Sequence, residues 1–251
     1  LMARVRVEQA VGVGVGVGPG SEVIVEEIVI FDTQNGLQDR GVGLAVEQAN
    51  LVGTGLTIEG SIGVGLFAHQ ADVDLADVRV ATTARADSEL WGRGIHAQGG
   101  TLALSDVELE GNADAGLFGL GVSSAVIQGI VIFDTQNGLV ADGVEGTGDG
   151  IVFTQGASGA DAAAQQIEMR DGVMGGNNRA GAIFEDSTIL LVDNVCNPDN
   201  GQMHGETSMF MQGTSVMHED TASGDWAVSV EGEGMEPFAF NREPMALMFG
   251  E

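Results

Sequence analysis

The side chains suited to contacting a ligand gather in four stretches, 31–42, 81–93, 133–149 and 170–180. Seven of them make up the candidate ligand-binding set: Asp32, Asn35, Asp87, Trp91, Arg93, Asp134 and Asn137. Carboxylates and amides exchange hydrogen bonds with sugar hydroxyls, and a flat ring such as Trp91 with Arg93 beside it offers a surface for a sugar ring. Asp32 and Asp134 admit a second reading, because each opens the string Asp-Thr-Gln-Asn-Gly, whose residue types build turns. No catalytic residue is assigned. The four histidines, His69, His96, His204 and His218, are scattered and match no metal-ligand spacing, and the single cysteine, Cys196, cannot form a disulfide within the chain. No cofactor is expected, although the loop carboxylates supply enough hard oxygen donors for a structural calcium ion.

A repeat must hold these stretches in place. The ten residues from Ile28 to Leu37 recur without change from Ile130 to Leu139. A finer pattern, apolar-x-apolar-x-x-apolar-x-apolar, occurs at Val23/Val25/Ile28/Ile30, Val73/Leu75/Val78/Val80, Leu102/Leu104/Val107/Leu109 and Ala125/Ile127/Ile130/Ile132. Weaker copies sit at Leu51/Gly53/Leu56/Ile58, Ala162/Ala164/Ile167/Met169 and Leu190/Val192/Val195/Asn197; the inward Asn197 is tolerable only if hydrogen-bonded along the stack. Each of the first six copies is followed by a second alternating element that opens with Gly43, Gly65, Gly94, Gly116, Gly150 or Gly181.

Alternation of period two marks half-buried strands, and connections of 8 to 12 residues back to the next copy are too short for a crossover helix. The strands must therefore stack on their equivalents in the next coil. The pattern predicts an all-β chain, a right-handed parallel β-helix of about seven coils over residues 23–201, with Leu44, Leu66, Ile95, Leu117, Ile151 and Ala182 as one inward column. Glycine before each second strand is expected to supply a positive φ at a sharp bend. From the first apolar residue of each copy to its glycine the count runs 20, 14, 21, 14, 25 and 19, so insertions collect on one side of the rod, where repeat proteins commonly bind.

The string from Gly92 to Leu120, GRGIHAQGGTLALSDVELEGNADAGLFGL, resembles the right-handed parallel β-helix repeat proteins of the pectate-lyase-like superfamily, especially acidic secreted or surface repeat proteins of bacteria. The resemblance covers about residues 23–201. It implies an extracellular or cell-surface structural or carbohydrate-contacting module without catalytic activity, with a polysaccharide or another cell-surface protein as partner. The alternative it implies is a polysaccharide lyase or epimerase acting on acidic glycans at the long-loop face. Pectate lyases of that superfamily use calcium held by aspartates with an arginine base, and its hydrolases use paired aspartates. This chain does not reproduce the hydrolases' Asn-Thr-Asp, Asp-Asp and His-Gly cluster as a set.

The formal charge is −28, from 37 carboxylates against nine basic residues, all of them arginine. Such a surface repels nucleic acid and anionic membrane, and no apolar run approaches the roughly 20 residues that span a bilayer, so neither partner is expected. No apolar signal segment stands near Leu1. Residues 1–22 contain a strict Val/Gly alternation from Val11 to Gly18, expected to be a linker or the edge strand of a first coil. The outward residues Ala45, Phe67, His96, Phe118, Val152 and Ile183 form an apolar stripe that implies a cover or a partner, self-association included. After Gly201 the repeat is lost, and the Met- and Phe-bearing tail, 202–251, is expected to pack on that stripe, to cap the last coil or to be disordered.

Overall fold

The computed structural model describes residues 1–36, 40–86, 91–136, 148–155, 165–178, 180–185, 187–192 and 194, and the backbone of 195–196, 209–212, 215–219 and 228–230. All described elements are strands. One sheet stacks β1 (Met2–Glu8), β3 (Glu22–Phe31), β5 (Asn50–Glu59), β7 (Asp72–Ala81), β9 (Thr101–Glu110), β11 (Ser124–Phe133), β13 (Gln165–Arg170), β16 (Ser187–Val192) and β19 (Ser215–Glu219) in that order. Two short strands, β14 (Val173–Gly175) and β17 (Val195–Cys196), carry on from β13 and β16. The second sheet stacks β2 (Val13–Val17), β4 (Gly41–Glu47), β6 (Gly63–His69), β8 (Arg93–Gln98), β10 (Ala115–Leu120), β12 (Asp149–Thr154), β15 (Ala180–Glu185), β18 (Met209–Gln212) and β20 (Val228–Val230). Every pairing is parallel and joins a strand to its equivalent one coil away. The chain is a right-handed parallel β-helix.

Three columns of left-handed backbone set the outline of a coil. The first bends each long strand in its middle and passes through Glu27, Asp77 and Asp106, at φ 51°, 52° and 53°. It accounts for the doubled x in the sequence pattern: one extra residue at the bend shifts the phase, so that Val25 and Ile28 both point inward. The second column is the corner after the long strand, with Asp32 at 52°, Thr82 at 53° and Asp134 at 56°. The third, before the next long strand, includes Gln48 and Gln70, both at 48°. Short polar side chains tolerate this region better than branched ones, which is why aspartate recurs there.

Behind the second column runs an interior file of Thr33, Ser61, Thr83, Asn112, Thr135 and Asn177, all buried. Asn112 Oδ1 accepts from the backbone N–H of Thr83 at 3.2 Å, and Asn177 Oδ1 from that of Thr135 at 3.3 Å. Each asparagine thereby ties its coil to the one before it. The rest of the interior is mostly aliphatic, with Phe153 and Phe184 stacked in it. Val15, Leu44, Leu66, Ile95, Leu117, Ile151 and Ala182 stand in one register, and the last six are fully buried. Burying each large aliphatic contributes on the order of 1.5–3 kcal/mol.

The glycines that open the second strands do not adopt positive φ, contrary to the bend expected of them. Their reason is space. A Cβ on Gly43 would lie 2.5 Å from Ile58 Cγ2 and 2.7 Å from the carbonyl of Gly65; on Gly65 it would strike Val80 and lie 2.6 Å from the carbonyl of Gly94. Gly14 belongs to the same column: a Cβ there would lie 2.6 Å from the carbonyl oxygen of Gly43. Val13–Val17 pairs with β4, so the Val/Gly stretch is a strand of the first coil and not a linker.

Two weak copies shift register. Ala125 and Ile127 pair with Ile167 and Met169, which places the sixth copy at Ile167, Met169, Gly172 and Met174 instead of starting at Ala162. Ile167 and Met169 in turn pair with Ile189 and Leu191, so the inward residues are these and Asn194, not Leu190 and Val192. Asn194 makes the coil-to-coil bond expected of an interior asparagine: its Oδ1 accepts from Gly172 N–H at 2.8 Å. Ala162, Ala164 and Asn197 lie outside the described residues. With this register the stretch from Ile167 to Gly181 is 14 residues, as short as those of the second and fourth copies, and 170–180 is not an inserted loop. Insertions then fall strictly on alternate coils. The stack also continues beyond Gly201, through β18, β19 and β20.

Gly65→Ala should lower stability by about 1–3 kcal/mol through overpacking, read as a fall in the urea midpoint. Gly18→Ala, with nothing within 4 Å of the added carbon, should leave the midpoint unchanged.

Candidate functional site

The second sheet carries an outer face one residue off the inward columns. Val42, Val64, Arg93, Ala115, Asp149 and Ala180 share one outward register position there. Ala45, Phe67, His96, Phe118, Val152 and Ile183 share the next. This face is not exposed. All twelve residues are buried; nine fall in two apolar clusters separate from the main core, and the other three are Arg93, His96 and Asp149. The stripe therefore offers no open surface, and part of its cover comes from the alternate long loops. Arg40, at the end of the first, sets its guanidinium 5.4 Å from the ring centre of Trp91, at the end of the second. The two meet across the intervening short coil, whose Phe67 shares an apolar cluster with Trp91. The tail residues to which a covering role was also assigned lie outside those described at side-chain level.

Arg93 is the pivot. It stands where its neighbours in the column have valine or alanine, and it is 1% exposed. Its Nε donates to Asp114 Oδ2 at 2.8 Å, and its guanidinium carbon lies 3.5 Å over the Phe118 ring and 4.6 Å over Trp91. Arg85 approaches the other oxygen of Asp114 at 3.8 Å. Burial pushes the Arg93 guanidinium down from its ordinary range, while the charge of Asp114, its hydrogen bond and the charge of Asp149 oppose that shift. An arginine keeps its proton under such conditions, so the cluster is a desolvated, paired cation packed between rings.

The candidate residues read from the sequence divide accordingly. Trp91, 3% exposed, and Arg93 are sealed inside this cluster and do not present a platform to solvent. Asp32 and Asp134 are exposed residues of the left-handed corner, four strands apart in the stack, and Asn35 is half-buried beyond the same corner. Asp87 and Asn137 lie outside the described residues. A search confined to long loops passes over Asp114, which sits in a two-strand turn, and treats His96 as one of an outward column. The available signal was Arg93 itself: an arginine in a valine and alanine column requires a carboxylate nearby.

A different opening exists at the second-column corner. A groove of about 480 Å³ lies beside Phe31 and Asp32, walled by Arg6, Glu8, Glu59 and Thr82. The Arg6 guanidinium sits 4.8 Å from the Phe31 ring centre. The arrangement presents an apolar ring, three carboxylates and the Arg6 guanidinium, itself paired with Glu8, around one depression. Among the described residues no group of three or more His, Cys, Asp or Glu side chains is placed to hold a metal ion.

No family model matches the chain, and no curated protein matches it. Among solved structures, a crystal structure of pectate lyase Pel9A is similar with a TM-score of 0.38 and 15% sequence identity, over 88% of this chain and 71% of that one.

Asp114→Asn removes the carboxylate from a buried arginine while leaving its rings in place. It should cost about 3 kcal/mol, toward the lower end for a broken buried pair because Asp149 remains, read as a lowered urea midpoint.

Proposed function

We propose that this chain is a non-catalytic module of a secreted or cell-surface protein, and that it contacts polysaccharide at the Phe31 corner of the first sheet. The observation that carries the reading is the groove beside Phe31, where a half-buried ring lies next to Asp32, Glu8, Glu59 and Arg6. Neutral sugar units need that combination: a flat apolar contact with acceptors and donors at its rim. The location outside the cell rests on the likeness of the repeat to acidic secreted and surface proteins.

The second reading, a polysaccharide lyase or epimerase, has one observation in its favour. Arg85, Arg93, Asp114 and Asp149 converge from neighbouring coils, as an acid/base site would require. Against it stands the seal. Arg93 is already committed to Asp114 and to two rings, and a substrate would have to displace Trp91 to reach it.

Retention on a panel of immobilised neutral and acidic polysaccharides separates the two. Phe31→Ala and Asp32→Ala should each weaken binding about tenfold, equivalent to about 1.4 kcal/mol. Asp134→Ala, in the identical ten-residue string but remote from the groove, should bind as the parent does. Retention that survives Phe31→Ala, or release of unsaturated sugars from an acidic glycan, would move the function to the long-loop face. A melting temperature that rises with calcium alone would make the loop carboxylates a structural ion site.

A further inference from the structure

The strongest feature outside the groove is the ring stack over His96. Trp91 stands on left-handed backbone, φ 77°, immediately before Gly92 at the end of the second long loop. Its indole is stacked on the His96 imidazole with centroids 5.2 Å apart and planes 24° apart. Phe67 and Phe118, one coil to either side, close the imidazole edge-on at 5.3 and 5.2 Å. Nδ1 of His96 lies 3.5 Å from Nη1 of Arg93, which makes it the acceptor, and the Nε2 is buried with no hydrogen-bond partner.

We propose that Trp91 is an acid-released strap: when His96 takes a second proton, the indole leaves its stack and the Phe67–Phe118 patch opens to solvent. The charges around the ring all oppose that proton at rest. Arg93 faces it from β8 itself, Arg40 approaches through Trp91 from the first long loop, and His69 stands on β6. Glu47 of β4 is 3.5 Å from His69 and serves that ring. Asp114 is held by Arg93 and Arg85, and Asp149 lies beside Arg93. An imidazolium would therefore sit close to the cations Arg93 and Arg40 with no acceptor at Nε2.

Burial first, then the charges of Arg93, His69 and Arg40, push the imidazole well below its ordinary value of 6.5. The sign follows. The unfolded or open state binds the proton more readily, so closure is complete above 6.5 and weakens as the pH falls below it toward the depressed value. The element that yields is the strap. Strand β8 is hydrogen-bonded to β6 on one side and β10 on the other, whereas the indole is held by apolar, ring and guanidinium contacts, and among the described residues its Nε1 has no hydrogen-bond partner.

The chain has two tryptophans, so Trp226→Phe isolates the emission of Trp91. At fixed ionic strength, lowering the pH from about 8 to 4 should red-shift that emission and raise binding of an apolar dye, with the far-ultraviolet dichroism of the sheets unchanged. Adding His96→Phe, which keeps a ring in the stack, should abolish both changes. If that variant fails to fold, the ring-carbon resonance of His96 in the otherwise native protein replaces it, and its titration should coincide with the Trp91 shift. A Trp91 shift that persists in His96→Phe overturns the proposal. So does emission that stays constant down to pH 4, or a His96 titration that passes without a change at Trp91.

Discussion

Coil-to-coil backbone hydrogen bonding at the spacing of a parallel sheet, about 4.8 Å, is the constraint from which the rest of this molecule follows. Every coil must repeat the path of the one below it closely enough for both sheets to stay in register. Where the second strand begins, the carbonyl of one coil comes so close to the α-carbon of the preceding one that only glycine fits, at Gly14, Gly43, Gly94 and Gly116 alike. The same demand places left-handed residues at three matched points per coil, and polar side chains, aspartate most often, or glycine fill them. Interior asparagines then take up backbone N–H groups at the turning points, Asn112 and Asn177 at the corner after the long strand and Asn194 beside the mid-strand bend.

The charge of the chain sits outside this frame and leaves it largely undisturbed. Carboxylates project from the sheet faces and corners, and the few arginines are placed to bridge several of them. Arg79 touches Glu59, Glu108 and Glu110 on neighbouring coils, which raises its guanidinium value chiefly through the hydrogen bond it donates to Glu108. At that exposure the network contributes little net stability, but it offsets repulsion between stacked carboxylates. Arg93 is the opposite case, a cation withdrawn from water whose pairing is obligatory.

A β-helix of this width has a second place to bury apolar side chains besides its interior. Inserting residues on alternate coils lets two long loops meet beside the short coil between them, as Arg40 and Trp91 do, with Trp91 packed in the cluster of Phe67. The outer face of the second sheet thereby becomes a lateral core. The groove beside Phe31 lies outside this lateral core, at the corner where the long strands end.

The sequence by itself determined the repeat, the class of fold and the inward columns, because period-two alternation and a nearly constant return connection leave no other way to bury Leu44, Leu66, Ile95 and Leu117. It also marked which coils carry insertions, apart from the sixth copy, where the unread insertion before Gln165 shifted the register by five residues. What it could not determine is where a loop folds. Trp91 and Arg93 read as a sugar platform because their types suit one, and only the tertiary structure turns them inward onto His96 and Phe118. Nor could it tell two reasons for a glycine apart, since a positive φ and a crowded α-carbon leave the same letter in the chain. Burial of an outward column depends on contacts between loops more than twenty residues apart from the strands they cover or from each other, and no local pattern encodes those contacts.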